Sequence, residues 1–174
     1  MKFIAVTFAL FLAASLAVAQ QSPSREAVAT IAGKTISIKY DAPSVRGRQI
    51  FGDNGRLSRD PNYPVWRAGA NSATALHTDA DLDINGLSVP KGDYTLYVVV
   101  RDPNAWQLII SKQTGQWGLT YTESTDLGRV KMTMSKPASL IEQLKYTITS
   151  EGGNKGKIQL EWENHVASVP VTVK

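Results

Sequence analysis

The chain contains no cysteine. That excludes a disulfide framework, thiolate zinc sites, iron–sulfur clusters, a cysteine nucleophile and an acylated-cysteine lipid anchor. Histidine is nearly as scarce. His77 and His165 are the two in the chain, and neither belongs to an H-E-x-x-H or related spacing. A G-x-S-x-G elbow, a phosphate-binding P-loop and a dinucleotide fingerprint are all missing. Internal repeats, heptads and low-complexity tracts are missing too. No cofactor and no metal is expected from this inventory, and no catalytic residue is selected by it.

Residues 1–19 read as a secretory signal peptide. Lys2 supplies the positive start, Phe3 to Ala14 is apolar apart from Thr7, and Ala17-Val18-Ala19 is a small-x-small cleavage pattern. The apolar run is short for a membrane span and no second one follows, so no integral span is expected after cleavage. Removing 19 of 174 residues leaves 155, which suits one domain. The expected organisation is a signal peptide (1–19), a flexible polar N-terminus (20–26) and a single domain (27–174). The expected location is the periplasm or the exterior. Without Lys2 the chain carries 18 basic and 15 acidic residues, net +3. That balance implies solubility but no nucleic-acid partner.

The body reads as short strands. Ile36, Ile38 and Tyr40 alternate with Thr35, Ser37 and Lys39, which gives a strand with one apolar face, and Ala27 to Ile31 supplies its hairpin partner. Ala73 to Ile84 reads as one further strand. Asn85-Gly86, between alternating flanks, signals a two-residue hairpin. Tyr94 to Val100 is nearly all apolar and β-branched or aromatic, as in a central strand. Trp106 to Ser111, Val130 to Met134, Leu144 to Thr149, Lys157 to Trp162 and Val169 to Val173 complete the set, and Glu151 to Gly156 reads as a flexible hairpin loop. Ser139 to Lys145 has a short helical option. The expected fold is all-β, an antiparallel β-sandwich (jelly-roll or Greek-key-like) with long loops closing one end.

Asp41 to Ser72 breaks the pattern. Pro43, Gly47, Gly52, Gly55, Pro61, Pro64 and Gly69 punctuate it too densely for a long helix or strand. An irregular connection of about 30 residues is well beyond the usual ~12–15, which points to function or disorder. Ile50, Phe51, Tyr63, Val65 and Trp66 are apolar anchors that a solvated linker does not need, so an ordered lid is expected. Five of the eight arginines lie here: Arg46, Arg48, Arg56, Arg59 and Arg67. Only Asp53 and Asp60 oppose them between Ser44 and Ser72.

Two chemical signals fall away. Asp81-Leu82-Asp83-Ile84-Asn85-Gly86 matches the first half of a calcium loop, but its twelfth position is Gly92, where a bidentate carboxylate is required. Glu161 and Glu163 share one face of a strand, with Trp162 on the other, so they read as an outward acidic pair rather than opposed catalytic acids. The candidate ligand-binding set is Arg46, Arg48, Tyr63, Trp66, Arg67, Asn71 and Trp117. Forked donors beside stacking rings suit a small polar or anionic ligand, a glycan or an envelope protein. The bracing of loops by these same arginines is the structural alternative. An envelope hydrolase or lyase is a third reading, with His165 or a carboxylate as general base and an arginine as oxyanion stabiliser.

Ser44-Val45-Arg46-Gly47-Arg48-Gln49-Ile50-Phe51-Gly52 resembles the P-S-V-R-G-R-x-I-F-G stretch of a family of exported bacterial proteins. Val65-Trp66-Arg67-Ala68-Gly69-Ala70-Asn71 resembles its V-W-R-x-G-A-N. Pro90-Lys91-Gly92-Asp93-Tyr94-Thr95-Leu96 resembles its P-x-G-x-Y-x-L, and Trp117-Gly118 its later W-G. The family is the domain of unknown function numbered twenty-nine eleven, and the likeness runs from about residue 22 to the C-terminus. It implies an exported, all-β single domain and supplies no activity. Ser72 stands where members often carry an acid or another polar group, and Asp53 to Asn62 is longer and more charged than the usual connection.

Overall fold

The computed structural model describes residues 21–174. The expected signal peptide and Gln20 lie outside them. Thirteen strands follow in order: β1 (Ser24–Ile31), β2 (Lys34–Asp41), β3 (Val65–Trp66), β4 (Ala70–Thr78), β5 (Leu82–Ile84), β6 (Leu87–Val89), β7 (Gly92–Val99), β8 (Gln107–Ser111), β9 (Asp126–Lys131), β10 (Thr133–Ser135), β11 (Ile141–Gly152), β12 (Lys155–Glu163) and β13 (His165–Val173). One sheet runs β1-β2-β4-β7-β8-β9, with β3 added along β7. The other runs β11-β12-β13-β5-β6, with β10 added along β13. All pairings are antiparallel, and the molecule is a two-sheet β-sandwich.

The alternation places the core. Ile36, Ile38, Leu76, Leu96, Val98, Leu108 and Ile110 of the first sheet are buried with Ile84, Ile158, Leu160, Val169 and Val171 of the second. These aliphatic side chains remove large apolar areas from water, at roughly 25 cal/mol per Å². Asn85 and Gly86 have φ of 49° and 91°, as a tight hairpin turn between twisted strands requires. Asp83 accepts a hydrogen bond from the Gly86 amide at 2.7 Å, and Asp81 from the Lys91 amide at 2.8 Å. The acids of the half calcium motif therefore hold turns.

Four local expectations are corrected. Ala73 to Ile84 is not one strand: Asp79-Ala80-Asp81 breaks it, and β5 crosses to the other sheet to pair with β13. The Thr78 hydroxyl donates to the Ala80 carbonyl at 2.7 Å and fixes that corner. Val130 to Met134 likewise divides at Met132, whose amide donates to the Trp106 carbonyl, so β9 and β10 lie in different sheets. The flexible N-terminus is cut short, because Ser24 already pairs with Asp41 and the Pro23 carbonyl accepts from the Ala42 amide. The helical option at Ser139 to Lys145 is taken by β11, whose first residues bond to the long loop: Val45 donates to Glu142, and Leu144 donates to Pro43.

Candidate functional site

The loop between β2 and β4 is ordered from its own residues upward. Arg46 and Gly47 both take positive φ, 51° and 67°, and turn the chain back on itself. The Arg46 amide donates to Glu142 Oε1 at 2.8 Å. Ile50, Phe51 and Leu57 are buried, and a short 3-10 turn spans Arg56–Arg59. Glu163 holds the middle of the loop, its Oε1 accepting from the Ile50 amide at 2.8 Å. Glu163 is buried with φ of 54°, so it is not half of an outward acidic pair. The left-handed backbone at the end of β12 breaks the alternation and turns its carboxylate inward.

This loop forms one wall of a cleft of about 210 Å³. Four arginines line it, Arg46, Arg48, Arg56 and Arg67, against a single acid, Asp60, over a floor that includes Ile50, Leu57 and Trp162. Arg48 is braced by carbonyls: Nε donates to Val45 at 3.0 Å and Nη2 to Ser44 at 2.7 Å. Asp60 is shared, with Oδ1 3.4 Å from Arg56 Nη1 and Oδ2 3.5 Å from Arg67 Nη1. Arg67 is the least exposed of the four arginines. Its side chain is 15% exposed, and burial lowers its pKa, with Asp60 pulling it up and Arg56 pushing it down. Nε and Nη1 of Arg67 are buried without a hydrogen-bond acceptor. The 3.5 Å approach to Asp60 is thus a charge contact and not a directed hydrogen bond. A buried cation with unused donors costs free energy until an acceptor fills them.

The structure divides the seven residues read from the sequence. Arg46, Arg48 and Arg67 meet in the cleft. Asn71 and Trp117 lie in an adjoining depression that shares Ser22 and Pro23 with it. Trp66 is 2% exposed, stacks on Trp162 with ring centroids 5.5 Å apart, and donates Nε1 to the Gly69 carbonyl. It is core, because its indole fills the space between the sheets. Tyr63 packs against the core with its hydroxyl buried, and Arg101 lies 5.7 Å over its ring. Neither Trp66 nor Tyr63 lines the cleft. The reading of the sequence left out Arg56 and Asp60, whose i, i+4 spacing on a charged stretch was the available signal.

The histidines lie elsewhere. His77 sits near the far end of β4 from Asn71, between Asp93 (2.7 Å) and Asp79 (3.1 Å), and those two hydrogen bonds raise its pKa. His165 is pressed between Phe51 and Trp106, at ring distances of 4.7 and 5.1 Å, and burial lowers its pKa. Neither lines the cleft, so the general-base form of a hydrolase has no histidine there. Among the described residues no group of three or more His, Asp or Glu could hold a metal ion.

No curated protein and no solved structure matches the chain. The family described as "protein of unknown function" (DUF2911) matches residues 22–171, from before β1 into β13, and the chain belongs to that family.

Proposed function

We propose that the protein is an exported, non-catalytic binding domain that holds a small anionic ligand in the arginine cleft. The observation that carries this reading is Arg67, whose buried Nε and Nη1 point no hydrogen bond at any acceptor. The surrounding charge supports it, since Arg56 and Arg67 share the single carboxylate that lines the cleft. A carboxylate, phosphate or sulfate presents two oxygens at a spacing that matches a guanidinium fork. Export rests on the signal-like residues 1–19, and the compartment is the periplasm or the exterior. Among the described residues no helix is long and apolar enough to cross a membrane.

The structural alternative has its own support in Arg48, which spends two donors on the carbonyls of its own loop. Calorimetric titration with inorganic phosphate, sulfate and citrate separates the two. The binding reading expects an affinity that weakens with salt and is lost in Arg67→Met and reduced in Arg56→Gln, with the fold of both variants intact by circular dichroism. No heat with any of these anions, at low salt and with the wild-type protein, leaves only the bracing role.

A further inference from the structure

The depression beside the cleft has a different chemistry. Three of the four tryptophans, Trp66, Trp106 and Trp162, are buried, while Trp117 is 55% exposed. An exposed indole offers a face on which a flat or C–H-lined ring can stack. Trp117 is ordered from both sides. Ser72 bridges to it, the Ala73 amide donates to the Gln116 carbonyl, and the Gly118 amide donates to the Asn71 carbonyl at 3.0 Å. The Thr120 amide donates back to the Trp117 carbonyl. The ring is therefore presented by a backbone pinned to the start of β4.

Among the polar side chains of the same depression are Asp41 at the end of β2 and Asn71 at the start of β4. Among the described residues neither side chain is in a hydrogen bond or an ion pair. A carboxylate accepts two hydroxyl protons, and an amide both donates and accepts, so the pair fits vicinal hydroxyls. An aromatic face fits the C–H face of a pyranose ring. Arg67 links the two depressions: its stem lies against Gly118, next to Trp117, and its guanidinium lines the cleft.

We infer that the Trp117–Asp41–Asn71 depression is a saccharide-ring subsite, so that the ligand is a sugar carrying an anionic group, its anion in the arginine cleft and its ring on Trp117. This rests on the anion reading above. A second anionic group on the ring would meet Asp41 and be repelled, so the hydroxyl-bearing part belongs on this side. The ligand carries its charge at one end.

The test uses the protein without residues 1–19 and five probes: inorganic phosphate, glucose, glucose 6-phosphate, glucuronate and adenosine 5′-monophosphate. The emission change that belongs to Trp117 is the part missing in Trp117→Phe, because Trp162 lines the arginine cleft and responds to phosphate as well. At least one charged saccharide is expected to bind about tenfold tighter than phosphate and to change the tryptophan emission. Trp117→Ala should remove that advantage and leave phosphate affinity unchanged, and Trp117→Phe should restore part of it. Phosphate binding with no gain from either charged sugar overturns the subsite and leaves the anion reading standing. Binding of glucose as tight as that of glucose 6-phosphate, lost in Trp117→Ala but not in Arg67→Met, keeps the subsite and overturns the anion reading. Tighter binding of adenosine 5′-monophosphate than of both sugars overturns the saccharide assignment.

Discussion

Gly118 leaves the space that the stem of Arg67 fills. A Cβ at Gly118 would overlap Arg67 Cδ and would also come within 2.6 Å of the Asn71 carbonyl oxygen. The W-G pair therefore meets the W-R-x-G-A-N loop twice: the glycine seats Arg67, and the tryptophan bridges to Ser72 just after Asn71.

Gly118→Ala should destabilise the protein by roughly 1–3 kcal/mol, the usual cost of forcing volume into a packed contact. It should also displace Arg67 and weaken anion binding. Urea denaturation and phosphate titration of the same preparation check both parts, and normal stability would mean that Arg67 is not held against this glycine.

Arg67→Met should cost little stability or raise it. The substitution removes a buried cation with two unused donors, keeps an apolar stem of similar length, and leaves Asp60 its contact with Arg56. The same variant should lose the thermal stabilisation given by phosphate or citrate. A loss above about 2 kcal/mol in the unliganded protein would instead make Arg67 a brace.

Glu163→Ala should cost about 1–3 kcal/mol, because it leaves the buried Ile50 amide without an acceptor. Glu163→Gln keeps an acceptor in reach and should cost less. Hydrogen exchange at Ile50 should rise in the alanine variant while strands such as β7 stay protected. Equal protection at Ile50 in wild type and Glu163→Ala would show that the loop is held by its apolar anchors alone.

The two histidines should titrate on opposite sides of the ordinary value of about 6.5. His77 is raised by hydrogen bonds to Asp93 and Asp79, so its contribution is present below about 6.5 and disappears as pH rises through its folded-state value. His165 is lowered, chiefly by burial. The folded protein resists its protonation while the unfolded chain does not, so stability falls as pH drops below about 6.5 toward the folded-state value. Proton-detected titration of the ring signals checks the order of the midpoints. Asp93→Asn should lower the His77 midpoint and leave His165 unmoved.

Much of this protein follows from local pattern. The alternation of Ile36, Ile38 and Tyr40 determines a strand with one apolar face, because side chains on a strand repeat every two residues, the Asn85-Gly86 turn determines a hairpin, and the unbroken run Tyr94 to Val98 determines a central strand buried on both faces. Chain sequence also gathers Arg46, Arg48, Arg56 and Arg67 onto one proline- and glycine-broken loop, which is why the cleft is basic.

Period two states which face is apolar, but it does not name the sheet that receives it. β5 and β10 continue the apolar pattern of β4 and β9 and still belong to the opposite sheet, because their hydrogen-bond partners lie on β13, far along the chain. The same holds for single residues. Trp66 and Trp117 both precede small or charged motif residues on long connections, yet one is stacked in the core on Trp162 and the other is exposed beside Ser72. Glu163 reads as an exposed strand acid until the φ of 54° at the end of β12 turns it under the loop. Burial and partner choice are set by contacts between segments distant in sequence, and only the folded chain brings those segments together.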